Sequence, residues 1–152
     1  MTDDMAMFAG SIERNLRLLR PFYPRIDESH WRALAKHFDV DPAARITSMS
    51  KGNATRARLV VTFALRTRVM LLDEPTTGLD APSRAALLEQ IADIMREEDR
   101  LIVFSSHDFE SVERICDRLV VLDRGRVVAD TTPDAFRQSL SLRERLVAQV
   151  SP

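Results

Sequence analysis

The stretch Val69-Met70-Leu71-Leu72-Asp73-Glu74-Pro75-Thr76-Thr77-Gly78-Leu79-Asp80 decides the fold. Its first four residues form a short apolar run bounded by turn signals, which reads as a strand covered on both faces. Two adjacent acids, Asp73 and Glu74, close the strand. Pro75 and Gly78 then build a tight turn, and Asp80 is placed to cap the next helix. That helix starts near Ala81, with Leu87, Leu88, Ile91, Ile94 and Met95 on one side.

Downstream, the pattern repeats. Leu101-Ile102-Val103-Phe104 and Leu119-Val120-Val121-Leu122 read as two further strands, with Phe109, Val112 and Ile115 marking a short helix between them. Asp123-Arg124-Gly125-Arg126 reads as a turn into a last strand, Val127-Val128-Ala129. Thr132-Pro133 opens C-terminal helices carrying Phe136, Leu142 and Leu146. Alternating strands and helices imply an α/β fold with a mostly parallel sheet, whose ligands sit beyond the carboxyl ends of the strands. Upstream, the chain is helical. Ile12, Leu16 and Leu19 recur at helical spacing after Ser11, and Pro21 and Pro24 stop the run. Asp27 caps a second helix with Trp31, Leu34 and Phe38 on one face. Asp41-Pro42 resembles a cap followed by proline at a first helical position. Ile46 to Ser50 reads as a loop. Ser50 is the N-cap of a long helix to about Leu65, with Leu59, Val60, Phe63 and Ala64 inward. The expected division is 1–66, a helical subdomain with its Ser50-capped helix, and 67–152, the strand–helix portion.

Composition narrows the classes. The chain has 152 residues, 45% hydrophobic and 30% charged, the mix of a soluble globular domain and not of a disordered chain. No apolar run approaches ~18 residues, so no transmembrane helix is expected. The acidic start Met1-Thr2-Asp3-Asp4 lacks the basic region of a signal peptide. One cysteine, Cys116, excludes an internal disulfide and a cysteine-based zinc site, and it reads as a packing residue in a reducing compartment. A net charge of -1 gives no global electrostatic case for nucleic acid. Two lysines, Lys36 and Lys51, stand against twenty arginines, and the four glycines are Gly10, Gly52, Gly78 and Gly125. A phosphate-cradling G-x-x-x-x-G-K-[S/T] loop needs a Gly-Lys pair, and the sequence contains none.

The acids at 73 and 74 carry the first chemical signal. A carboxylate at a sheet's carboxyl edge is placed to hold Mg²⁺ beside a phosphate chain, and a second acid there can polarise an attacking water. Taken alone, two such acids are a solvated strand end. The nine residues from Leu72 to Asp80 resemble the Walker B segment and D-loop of ABC-type ATPases, the nucleotide-binding domains of ABC transporters. Two further motifs stand in that family's order. Phe104-Ser105-Ser106-His107-Asp108 resembles the H-switch, and Met49-Ser50-Lys51-Gly52-Asn53 resembles the signature motif, usually Leu-Ser-Gly-Gly-Gln. A lone histidine after a strand is ordinarily a surface residue, and Ser-x-Gly at a helix start is ordinarily a cap; order and spacing raise both above that reading. A serine hydroxyl and free N–H groups at a helix N-terminus also make an anion site. The signature departs from the usual pattern at Met49, Lys51 and Asn53, and Lys51 adds positive charge.

The resemblance covers essentially the whole chain. It implies part of a P-loop-NTPase-type sheet with flanking helices, preceded by the helical subdomain that docks on a transmembrane subunit. It implies Asp73 for Mg²⁺, Glu74 as catalytic base, and His107 on the γ-phosphate. It also implies Ser50, Lys51, Gly52 and Asn53 facing ATP held by a second nucleotide-binding domain, in a homo- or heterodimer, and Asp80 in the D-loop touching that partner. ATP and Mg²⁺ are the implied cofactors, and the inner face of the membrane is the implied location. The family's Q-loop glutamine falls at or before the N-terminus, where Asp3 is nearest; Gln90 and Gln138 lie on later helices. Tyr23 and Trp31 read as packing residues, not an adenine stack, and Arg56 and Arg58 are weak phosphate candidates.

Lacking Walker A, the isolated chain is expected to be inactive. It reads first as the C-terminal part of an ABC transporter ATP-binding protein, with Met1 as an internal start. A second reading is a natural half-domain that completes or regulates another ABC ATPase. A third is the C-terminal lobe of a DNA-repair type ABC ATPase. An incomplete sheet also implies that the isolated chain is not a monodisperse monomer.

Overall fold

The computed structural model describes residues 10–96, 99–108 and 112–139. They fall into two compact units, one ending at His107 and the other starting at Asp108. The positions Asp3, Phe109, Leu142 and Leu146 lie outside the described residues.

The first unit opens with three helices whose starts follow from local capping. In α1 (Ile12–Leu19), the Ser11 hydroxyl accepts the Arg14 N–H at 3.3 Å. In α2 (Glu28–His37), Asp27 accepts the His30 N–H at 2.9 Å. In α3 (Lys51–Ala64), Ser50 accepts the Asn53 N–H at 3.3 Å. Each cap satisfies one of the N–H groups that a helix start leaves unpaired. The core of this unit lies between the helices. Ile12, Leu16, Leu34 and Phe38 are buried with Leu59, Val60, Phe63 and Ala64 of α3, and the rings of Phe38 and Phe63 stack with centroids 6.0 Å apart. Trp31 is buried as a packing residue, with the Arg32 guanidinium 4.6 Å from its ring centroid.

Asp41-Pro42 does not start a helix. The Asp41 carboxylate accepts the Ala43 N–H at 2.9 Å, and its carbonyl accepts the Ala44 N–H at 3.3 Å. The cap signal is obeyed, but it closes only a turn, followed by a single 3₁₀ turn at Ile46–Ser48.

After α3, β1 (Val69–Leu72) pairs in parallel with β2 (Leu101–Phe104), in the register Val69↔Leu101 to Leu72↔Phe104. Between them runs α4 (Ala81–Met95), capped by Asp80 with a proline in its first turn. It buries Leu87, Ile91 and Ile94, while Leu88 is half-buried and Met95 exposed. His37 of α2 reaches α4, its Nε2 lying 2.8 Å from the Ala86 carbonyl oxygen.

The sheet corrects one expectation. The apolar run of β1 is covered on one face only: Met70 and Leu72 are buried, whereas Leu71 is 71% exposed. Its register partner Val103, with Val69 and Leu101, is also exposed, so the parallel pair carries a continuous apolar row facing solvent. An apolar run reports that a strand avoids water on both sides; it does not say whether the covering element is at hand.

In the second unit, β3 (Leu119–Asp123) and β4 (Arg126–Thr131) form an antiparallel hairpin with a register shift at Val121/Leu122. The third strand therefore takes the antiparallel neighbour that the turn at Asp123–Arg126 predicts, within a fold expected to be mostly parallel. The two-residue turn Arg124-Gly125 has positive φ at both positions, 48° and 75°, the geometry whose twist matches a tight hairpin. Arg118 grips Asp130 across it with bonds of 2.7 and 2.6 Å. Then α5 (Pro133–Gln138), capped by Thr132, buries Phe136. Cys116 is half-buried, and burial pushes its thiol pKa up, which suits packing and not nucleophilic chemistry.

Candidate functional site

Parallel pairing of β1 with β2 brings two distant segments to one edge. Because Leu72 pairs with Phe104, the first residues beyond each strand, Asp73 and Ser105, fall side by side. The Ser105 hydroxyl donates to Asp73 Oδ1 at 2.6 Å and accepts the Glu74 N–H at 2.8 Å. Two residues on, His107 Nδ1 lies 2.9 Å from Glu74 Oε2. With the carboxylate ionised, Nδ1 carries the proton of that bond, which fixes the ring tautomer. Asp73 and Glu74, adjacent in sequence, and His107, more than thirty positions further on, thus form one polar cluster at the carboxyl ends of the strands.

The backbone at Glu74 has φ 44°, in the left-handed region, where a side chain costs about 1–2 kcal/mol. The turn beyond it is held by Thr77 N–H on the Glu74 carbonyl (3.0 Å) and Leu79 N–H on the Thr76 carbonyl (3.2 Å). Thr76 and Leu79 are buried and anchor it. Gly78 has φ 78°, which favours glycine.

This turn delivers Asp80 to the start of α4, where its carboxylate accepts the Ser83 N–H at 3.0 Å. Hydrogen bonds from Ser83, chiefly, hold the Asp80 carboxyl below its ordinary range, helped by the charge of Arg56. Arg56 is occupied within the chain: its guanidinium donates to Asn53 Oδ1 and to the Phe38 carbonyl and lies 3.9 Å from Asp39. It is a structural strut of α3 here, and the side-chain oxygen of Asn53 is turned to it.

The signature-like segment sits beside the same turn. A Cβ built on Gly52 would stand 3.5 Å from the Gly78 carbonyl oxygen, and one built on Gly78 would meet the Lys51 side chain at 4.0 Å. Ser50, Lys51, Gly52 and Asn53 therefore gather at the N-terminus of α3, next to the turn that joins Glu74 to Asp80. Ser50 and Lys51 are exposed. The residues marked out by sequence form two groups, one at the strand ends and one at the helix start, joined by residues 74–80.

Ser105 is the site residue that sequence reading passed over. Its signal was present: a polar residue one step beyond an apolar strand lies opposite the matching residue of its parallel neighbour once the register is known.

Among the described residues, no three His, Cys, Asp or Glu side chains gather as a metal cage. The available donors are the Asp73 and Glu74 carboxylates and the Ser105 hydroxyl, all hard oxygens. That set fits Mg²⁺, which takes one or two carboxylates and completes its shell with water and phosphate oxygens.

No family model matches the chain. Individual relatives do. It is 34% identical over 106 residues to the ABC transporter ATP-binding protein YtrB of Bacillus subtilis, covering 70% of this chain and 36% of that protein. It is 38% identical over 119 residues to the cobalamin import ATP-binding protein BtuD of Halobacterium salinarum, covering 74% and 30%. The chain thus spans about a third of the length of these curated relatives. Among solved structures, an ATP-binding subunit of an ABC transporter superposes with a TM-score of 0.77 at 27% identity, over 98% of this chain and 63% of that one. A bacterial Atm1-family ABC exporter with ATP bound shares the fold, with a TM-score of 0.76 at 19% identity, over 99% and 28%. The α/β architecture is that of the P-loop NTPase fold of ABC ATPase domains. By sequence and by fold together, the chain matches the ATP-binding proteins of ABC transporters, of whose length it spans about a third.

Proposed function

We propose that the chain supplies the signature, Walker B, D-loop and H-switch side of an ABC transporter ATP-binding protein, in which ATP binding and hydrolysis drive transport. The observation that carries this reading is the cluster of Asp73, Glu74 and His107 at the ends of two parallel strands, next to a signature-like helix start. Residues 1–66 serve as the helical subdomain that meets a transmembrane subunit, and 67–152 as part of the ATPase core. The protein works at the inner face of the membrane. Among the described residues no helix is long and apolar enough to cross a membrane; in this reading the transmembrane subunit provides the attachment.

Bound ATP and Mg²⁺ supply the scissile phosphate and a cation that neutralises its charge. Asp73 offers a carboxylate oxygen to the cation. Glu74 takes the proton of the attacking water. His107 holds Glu74 through its Nδ1–H, and it meets a phosphate oxygen at Nε2 as the doubly protonated imidazolium, which donates from both nitrogens. Ser50 and the first N–H groups of α3, with Lys51, meet the phosphates of ATP carried by a second nucleotide-binding domain.

A second reading rests on one observation: the sequence has no Gly-Lys pair and hence no phosphate-cradling loop of its own. In that reading the chain completes the site of a partner that carries the loop. The intact mass of the product in its own cells separates the two, since a product of 17.3 kDa supports the second. The catalytic assignment is tested in the ATP-hydrolysing assembly. Glu74→Gln lowers turnover by about 10²-fold or more while ATP binding persists, and His107→Ala lowers it by a similar order. Unchanged turnover in Glu74→Gln refutes the assignment.

A further inference from the structure

We propose that Ser105 is the positioning residue of this site, a single hydroxyl that sets both the orientation of the Asp73 carboxylate and the backbone of Glu74. The inference deepens the reading above and rests on it for the metal. The geometry stands apart from that reading. Ser105 Oγ donates to Asp73 Oδ1 at 2.6 Å and accepts the Glu74 N–H at 2.8 Å. A hydroxyl has one proton to give and lone pairs to receive, so it can do both at once. The Ser105 N–H donates to the Leu72 carbonyl at 2.9 Å, which ties the serine to the end of β1.

The need for such a residue lies in Glu74. Its φ of 44° is unfavourable for a residue with a side chain, and Pro75 follows it, which narrows the backbone choices further. Without a partner for its N–H, Glu74 has reason to relax toward extended backbone, which swings its carboxylate away from His107. Donation to Asp73 Oδ1 also restricts the rotation of that carboxylate and leaves its orientation matched to the strand end. One side chain just beyond β2 thus places the two acids just beyond β1. The conservative replacement is threonine, which keeps the hydroxyl. Alanine removes both bonds and little else.

The test uses the whole chain, read by amide hydrogen exchange and by Mn²⁺ as a paramagnetic stand-in for Mg²⁺. In the unaltered chain the Glu74 amide exchanges about fivefold or more below its intrinsic sequence-dependent rate, the scale of one exposed hydrogen bond. Ser105→Ala returns it to the intrinsic rate, amides of α2 and α3 stay unchanged, and Ser105→Thr restores protection. Mn²⁺ titrated without nucleotide broadens the Asp73 and Glu74 amides first in the unaltered chain and in Ser105→Thr. Ser105→Ala needs several-fold more metal. A Glu74 amide at its intrinsic rate in the unaltered chain overturns the proposal, even where Ser105→Ala fails to fold. So does equal protection in the folded alanine variant. Absence of selective broadening in every variant refutes instead the metal role of Asp73, and the Glu74 exchange rate still decides Ser105.

Discussion

Ser50 holds two roles that one substitution can separate. Its hydroxyl caps α3 by accepting the Asn53 N–H, and in the proposed function it meets the phosphates of ATP carried by a second nucleotide-binding domain. At 3.3 Å the bond is at the long end of the range, so Ser50→Ala costs about 0.5–1 kcal/mol, the low side for a lost N-cap. For a chain of this size that lowers Tm by about 1–4 °C. Ser50→Asp behaves differently. Aspartate caps as well as serine, and the first turn of α3 contains no acid, so its charge adds a favourable term of about 0.3–1 kcal/mol at the helix start. The variant is therefore as stable as the parent or slightly more so. The same charge repels a phosphate about 4 Å away by about 1–4 kcal/mol, depending on how much water screens it. Nucleotide-dependent pairing with a second nucleotide-binding domain then falls by about fivefold to a thousandfold. Urea unfolding followed by circular dichroism measures the first quantity. Light scattering with and without ATP and Mg²⁺ measures the second. A Ser50→Asp chain that pairs like the parent refutes the phosphate role, and one that loses more than about 1 kcal/mol refutes the capping account.

Two further outcomes follow from the surface and the caps. The isolated chain associates, because Leu71 and Val103 face solvent as register partners; Leu71→Thr with Val103→Thr moves it toward monomer on sizing with light scattering, and a monodisperse parent at 17.3 kDa contradicts this. Stability also has an acid limb. The Asp27 carboxyl is held below its ordinary range by Ser29, chiefly, and by the His30 N–H. A depressed folded pKa gives stabilisation that is complete above the unfolded value near 3.9 and is lost as pH falls through the folded value. Asp27→Asn keeps a good cap and removes that titration, so its acid limb is shallower below about pH 4; an unchanged limb in pH-dependent unfolding contradicts the assignment.

Features written locally were legible in the sequence. Ser50 and Asp80 announced their helices because a cap acts within three residues, and Arg124-Gly125 announced its hairpin because left-handed backbone is needed at that spot. Asp41-Pro42 carried the same kind of signal but lacked an apolar stripe long enough to reward a helix, so only a turn formed. Pairing was less legible. The runs at 69–72 and 101–104 identified strands without their register, and it is the register that sets Ser105 beside Asp73. Glu74 and His107 were chosen by motif; their contact through Nδ1 is a property of the folded sheet edge.

The bare row of Val69, Leu71, Leu101 and Val103 also has a consequence for supply. Exposed aliphatic surface draws copies of a chain together. Preparations in which the row stays open therefore lose material to aggregate as concentration rises, and a covering element, from the same polypeptide or from another, removes that loss.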